Sequence, residues 1–377
     1  MTNLFDYLTW RGDIPFENDP FNEIDGMIMA RFAYAPFDGI VPETVRERVT
    51  VMQACRQLLQ MENLQQLVLN LEDVHLYEAL AQSIRYRDVE LCNFRNLIDN
   101  ATETQFSAFT AKIMDGLYCI TFRGTDNTLI GWKEDCNMAF TYPVPCQRLA
   151  QEYLEDTGLR IRGKCILTGH SKGGNIAVYA GAFCSNALKK RIVRIYNYDG
   201  PGFVPEALET KEYQEIMDRI CTFVPQGSVF GMLFGHREEH IVIHSEAING
   251  LLQHNMYTWE VIGRYFIGVD EVTRGSRIVD ETVKNWVSQM DVGMREKFVE
   301  SLYAVVSKTN ATTLNELGEN WMANMRVVSA GMKNLDPATK EIINQGMKLF
   351  KESAKNTLAK MRENNKSEVR GVTQENE

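Results

Sequence analysis

The sequence lacks an excess of positive charge: 50 acidic residues outnumber 40 basic ones, the formal net charge is −10, and nine acids face four bases in the first fifty positions. Phosphate binding needs a concentrated basic surface, so the composition argues against a nucleic-acid partner and disfavours an anionic bilayer. No secretory leader is expected either, because Met1-Thr2-Asn3-Leu4-Phe5-Asp6-Tyr7 turns acidic at once, without a basic n-region, an apolar h-region or a small-residue cleavage site. The longest apolar stretch, Ile176 to Cys184, falls far short of the ~20 residues of a membrane span. The expected compartment is the cytoplasm. The 8 cysteines form no C-x-x-C pair, and most lie in apolar runs such as Leu117-Tyr118-Cys119-Ile120. They read as small buried hydrophobes, which argues against a disulfide scaffold and against thiolate-bound zinc. No repeat of fixed period is present, and the one low-complexity stretch is the polar end from about Arg362 to Glu377, too poor in apolar residues to order itself.

What is present is enough apolar material, 44% of 377 residues, to bury a large core. From Ile28 to Tyr86 apolar residues recur at helical spacing (Val49, Met52, Leu58; Leu71, Val74, Leu80), predicting two or three helices. Around Phe106 the period changes: Phe106, Phe109 and Ile113 lead into Asp115-Gly116, a hairpin signal, and then the β-rich run 117–122. A helix carrying Leu149, Tyr153 and Leu154 is expected to stop at Gly158, where glycine can take the left-handed cap. A buried strand over 165–168, a glycine-rich turn, a helix over 173–189 and a strand over 192–198 form a βαβ unit, hence a parallel sheet covered on both faces. From Val279 the pattern is helical, with Asp336-Pro337 as N-cap and first-turn proline of the last helix. The expected domains are 1–275, with a helical flank over about 1–90, a helical appendage over 276–362, and a disordered tail over 363–377.

At the joint between strand and helix stands Gly169-His170-Ser171-Lys172-Gly173-Gly174, which fits the G-x-S-x-G nucleophile elbow. That motif needs a strand before it and a helix after it, because the serine sits on a sharp turn at the carboxyl edge of a sheet and only glycines avoid the crossing backbone. Both neighbours are predicted here; the bland alternative is an unreactive glycine-rich βα turn.

Phe122-Arg123-Gly124-Thr125-Asp126, with Trp132 and Asp135 shortly after and the Gly-His-Ser-x-Gly-Gly motif about 45 residues on, resembles the α/β-hydrolases of the class 3 (fungal-type) lipase group. Over residues 1 to 270 the chain is more similar still to an uncharacterised bacterial lipase-like branch that reads Gly-His-Ser-Lys-Gly-Gly followed by Asp-Gly-Pro-Gly-Phe. The resemblance implies an α/β-hydrolase fold and an acyl, carboxylic or lipid ester as substrate. It also implies an oxyanion hole at Thr125 and at the amide of Lys172, and gives Arg123 a structural ion-pair role.

A serine nucleophile needs a base, and the candidates are His75, His170, His236, His240, His244 and His254. His170 lies inside the elbow and cannot turn back to its neighbour's hydroxyl. His75 precedes the serine, whereas this fold runs serine, acid, histidine. His254 follows the last expected strand and corresponds to the late histidine of the group; a satisfied structural histidine is the alternative. The lipase group places its acid one strand after the strand that ends at Tyr198, yet Cys221 to His236 contains no Asp or Glu, and Ser228 falls where the acid would be. Asp199, at the tip of the preceding strand, is the preferred acid, against the possibility that it only ties down the Gly200-Pro201-Gly202 turn. Glu238, Glu239 and Asp270 are the reserves.

His236-Arg237-Glu238-Glu239-His240 matches H-x-x-E-H, a zinc signature that requires a helix, but Ile241-Val242-Ile243 is β-branched and Gly231 and Gly235 lie just upstream. Neither a metal nor a dinucleotide is expected, so no cofactor is called for. The expectation is therefore a serine esterase or lipase-like hydrolase with Ser171, His254 and Asp199 as triad. Two alternatives remain: a non-catalytic hydrolase-fold binding protein, and an acyltransferase or thioesterase using the same serine. The C-terminal apolar stripe (Trp286, Phe298, Leu302, Trp321, Met325) is expected to pack into a core, and the oligomeric state stays open.

Overall fold

A computed structural model describes residues 2–126, 128–309, 327, 330 and 335–374, with the backbone alone at 308 and 362–374. The chain divides into two compact units, Met1–Glu271 and Val272–Glu377.

The first unit opens with helices α1 (Leu4–Arg11) and α2 (Glu23–Phe32), each started by an asparagine capping box at Asn3 or Asn22. After the two-residue strand β1 (Val49–Thr50) come α3 (Val51–Leu59), α4 (Leu64–Leu67) and α5 (Glu72–Gln82). Strands β2 (Glu90–Asp99), β3 (Thr104–Met114) and β4 (Leu117–Phe122) pair antiparallel, with Gly116 at φ 78° in the tight turn between the last two. Then follow α6 (Leu129–Asn137), α7 (Pro145–Arg160), β5 (Lys164–His170), α8 (Lys172–Phe183), α9 (Asn186–Lys189) and β6 (Ile192–Tyr198). The short helices α10 (Pro205–Leu208) and α11 (Lys211–Gln214) lead to β7 (Ile220–Pro225) and β8 (His240–Ile243), and a ribbon of β9 (Val261–Ile262) with β10 (Tyr265–Phe266) closes the unit.

The eight strands lie side by side in chain order, antiparallel from β1 to β4 and parallel from β4 to β8. With helices on both faces this is an α/β-hydrolase fold. Because successive strand residues point to opposite faces, Cys119 of β4 joins one core with Ile28, Phe32 and Leu76 of the amino-terminal helices. Tyr118, Ile120 and Phe122 join the other, with Tyr153 and Leu154 of α7 and Ile176 and Ala180 of α8. The helical flank is thus one of the two covers the parallel sheet requires.

Two local expectations need correction, and one strand is unanticipated. Gly158 lies inside α7, which ends at Arg160 with the extended residue Ile161 as cap. A Cβ at Gly158 would stand 2.7 Å from Leu188, so the glycine serves a close approach instead of a left-handed turn. The helix expected over 173–189 breaks at Cys184, whose backbone is extended, giving α8 and α9. Strand β2 escapes periodicity because its register shifts between Cys92 and Arg95, with Asn93 at φ 53° and an exposed outer half.

The second unit contains α12 (Arg274–Ser288), α13 (Val292–Val306) and α14 (Pro337–Gln374). Asp336 Oδ1 accepts from the Ala338 and Thr339 amides at 3.0 Å each, the expected N-cap. The helical backbone continues past residue 362, where composition predicts a disordered tail. The Trp286 ring packs edge-on against Phe298 and Phe350, whereas Trp321 and Met325 lie outside the described residues. Among the described residues, no helix is long and apolar enough to cross a membrane.

Candidate active site

The elbow forms because glycine permits it. β5 ends at His170, α8 begins at Lys172, and Ser171 between them adopts φ 57°, ψ −134°, a conformation that L-residues avoid and that costs of order 1–3 kcal/mol. A Cβ at Gly169 would lie 2.2 Å from the Gly173 backbone, and one at Gly173 only 2.3 Å from the Phe122 carbonyl. Strand, helix and the end of β4 therefore close on the serine with no side chain between them. The Ser171 amide donates to Tyr198 O at 2.9 Å, which ties the elbow to the tip of β6.

That tip carries Asp199, fully buried and at φ 51°. Its Oδ2 lies 2.6 Å from His254 Nδ1, while Oδ1 accepts from the Ser228 hydroxyl and, at 3.1 Å, from the Gly231 amide. The Gly200-Pro201-Gly202 turn does not use this carboxylate. Asn197 Oδ1 accepts the Gly200 amide at 3.0 Å, and Asn175 Nδ2 donates to the Pro201 and Gly202 carbonyls. Asp199 is thereby left to the histidine. Ser228, at the position where the resemblance to the lipase group would place an acid, instead donates a hydrogen bond to Asp199.

His254 ends a short 3-10 turn, with its ring between His170 and Phe230, each at a centroid distance of 4.3 Å. His170 Nε2 lies 2.9 Å from the His254 carbonyl, which can only accept, so Nε2 carries the proton and Nδ1 takes the Tyr34 hydroxyl at 3.0 Å. Burial, and then the nearby His254 charge, hold the His170 imidazole well below its ordinary range, so it is neutral. Buried Gln253 steadies the same turn through the Gly227 amide and the Ala247 carbonyl. The flank reaches it from below: Arg31 of α2 grips Asp73 of α5 through two 2.6 Å contacts, and the Tyr257 hydroxyl donates to Asp73 at 2.7 Å. Motif spacing gives no sign of Tyr34, Phe230 or Gln253, because each works through contacts that no spacing rule encodes.

On the other side of Ser171 runs the end of β4. A Cβ at Gly124 would lie 2.4 Å from His170 O and 3.1 Å from Ser171 Cβ, so this backbone abuts the serine. The Thr125 hydroxyl donates to Asp135 Oδ2 at 2.6 Å. Arg123 contacts Asn96 Oδ1 and Asp126, at 3.0 and 3.3 Å, in the ion-pair role expected. The Lys172 side chain turns inward, its Nζ 2.8 Å from Glu134 Oε2 and 2.9 Å from Gln105 O.

The reserve acids are elsewhere. Glu238 is engaged by Tyr213, Thr222 and His236; burial would raise its carboxyl, but His236 and these hydroxyls bring it down to about 2. Glu239 and Asp270 are exposed. The stretch 236–240 is a loop leading into β8 and not a helix, so the geometry of the zinc signature is not formed. Among the described residues no group of three metal-ligating side chains is assembled.

A sheet parallel from β4 to β8, with Ser171 in a strained strand-to-helix turn and Asp199 and His254 on later turns, defines the fold class as that of the α/β-hydrolases. The chain belongs to the Mbeg1-like family, whose sequence pattern matches residues 80–304. None of the curated proteins matches it. Among solved structures it is similar to the crystal structure of M37 lipase, with 12% identity and a TM-score of 0.32 over 55% of this chain and 69% of that one.

Proposed function

We propose that the chain is a serine hydrolase of carboxylic esters working through an acyl-enzyme. The observation that carries this reading is the buried Asp199 carboxylate, 2.6 Å from His254 Nδ1, at the strand tip tied to the strained Ser171 elbow. Ser171 Oγ attacks the ester carbonyl, and His254 Nε2 takes its proton and returns it to the leaving alcohol. Asp199 holds the imidazole orientation and stabilises its positive charge. Water then attacks the acyl-enzyme by the same route. The Lys172 amide, the first orphan donor of α8, and the Thr125 amide receive the oxyanion, each worth about 3–4 kcal/mol at the transition state. The turn before His254 exposes Ile248, Leu251 and Leu252, an apolar rim suited to an acyl chain. All eight cysteines are free thiols, which suits the reducing cytoplasm.

The test is turnover of p-nitrophenyl esters of graded acyl length by wild type and Ser171→Ala. Wild type is expected to turn over with a drop of about 10³-fold or more in the variant, and equal rates would contradict the reading. Adding alcohol or thiol acceptors separates hydrolysis from acyl transfer: hydrolysis predicts free acid as the product in every arm.

A further inference from the structure

We infer that helix α6 clamps the oxyanion site and that the Lys172 ammonium is its positioning charge, holding Asp135 in the state that grips Thr125. This rests on the serine hydrolase reading and assigns a task to residues outside the triad.

The clamp is built from two consecutive residues. Glu134 receives Lys172 Nζ at 2.8 Å and the Gln105 and Cys146 amides at 3.0 Å each, which fixes the first residue of α8 against α6, β3 and α7. Asp135 receives the Thr125 hydroxyl at 2.6 Å. One helix thus holds both residues whose amides would face the oxyanion.

The lysine is costly where it stands. A buried ammonium loses its hydration, and the amino terminus of α8 is the positive end of a helix dipole, which opposes a cation. An apolar pair of similar volume would serve packing as well or better. The charge must therefore act on something, and the group it faces is Asp135. Asp135 Oδ1 is buried and makes no hydrogen bond, so it is open to a proton. Burial raises this carboxyl to about 6, against the pull of the Lys172 ammonium and then of the Thr125 hydrogen bond. Around Asp135 stand Lys172 of α8, Glu134 and Cys136 of α6, Cys146 of α7, Tyr34 after α2 and His254. Lys172 outranks the others in favouring the carboxylate. An ionised Asp135 is the stronger acceptor and keeps Thr125 in place; a protonated one loosens it.

The experiment is the pH profile of kcat and kcat/KM for an activated ester, in wild type, Lys172→Met, Lys172→Arg and Glu134→Gln. Removing the ammonium is expected to move the acid limb up by about one pH unit or more. Removing only its counter-charge is expected to move the limb down, and Lys172→Arg to leave it in place. Opposite displacements are something damaged packing cannot produce. In an Asp135→Asn background the Lys172→Met displacement should vanish, which separates Asp135 from the titration of His254. If Lys172→Met does not fold, the direction of the Glu134→Gln displacement decides alone. Limbs that stay in place while kcat falls equally in Lys172→Met and Glu134→Gln would overturn the inference and leave the hydrolase standing. A wild type that turns over no ester, and whose Ser171 takes no active-site label, would overturn both.

Discussion

At the scale of single residues, the candidate site turns on Asp199, one strand earlier than the resemblance to the lipase group would place an acid, with Ser228 at that later position. Asp199 Oδ2 meets His254, and Oδ1 is held by Ser228 and the Gly231 amide, so neither oxygen is idle. Asp199→Asn is expected to lower kcat about 10⁴-fold, because an amide oriented by the same donors would favour the wrong imidazole tautomer. Ser228→Ala, which removes one orienting donor and leaves the acid, should cost about tenfold in kcat with KM little changed; steady-state kinetics on one ester compares the two. A loss in Ser228→Ala as large as in Asp199→Asn would mean that Ser228 itself does chemistry. The turn at Ser171 was legible because the elbow motif encodes a backbone conformation, and the Asp199–His254 contact because chain order and strand ends restrict the choice. Ser228 was legible only as a gap in the pattern. Tyr34 and Phe230 were not, since a residue that acts by touching the imidazole of His170 or His254, distant in sequence, carries no spacing rule.

At the scale of elements, the amino-terminal helices are half of the sheet's packing and also the floor under the histidine turn. The Arg31–Asp73 pair is almost wholly buried and also receives the Tyr257 hydroxyl, three residues after His254. Arg31→Ala leaves the Asp73 carboxylate buried without its partner and should cost about 3–5 kcal/mol in urea unfolding. A cost within experimental error would mean that the flank and the turn are independent. Gly169→Ala puts a methyl against the backbone of Gly173, where no rotamer change relieves it, and is expected to cost about 1–3 kcal/mol. The βαβ unit and the 115–116 hairpin could be read from sequence because alternation and turn chemistry are local. β2 could not, because its bulge breaks alternation, and neither could the true role of Gly158, which depends on a leucine thirty positions later.

At the scale of the whole molecule, two buried carboxylates are shifted in opposite directions, and the proposed mechanism predicts that activity and stability respond to pH over different ranges. Glu238 falls from an ordinary 4.5 to about 2 on folding, so its contribution, about 3 kcal/mol, is present above pH 4.5 and is lost as pH falls toward 2. Asp135 moves the other way, from 3.8 to about 6, so the folded chain binds the extra proton and this group's destabilising effect fades as pH falls through 6. Between about pH 6 and 4.5, ester turnover should therefore fall while urea unfolding shows no parallel loss. A common midpoint for the two would contradict this. The most direct test of the central claim is covalent labelling by a fluorophosphonate, read by intact mass in wild type, Ser171→Ala and His254→Ala. One adduct on wild type and none on either variant is the predicted result. A folded wild type that stays unlabelled, or an adduct that survives Ser171→Ala, would contradict the claim that Ser171 is an activated nucleophile.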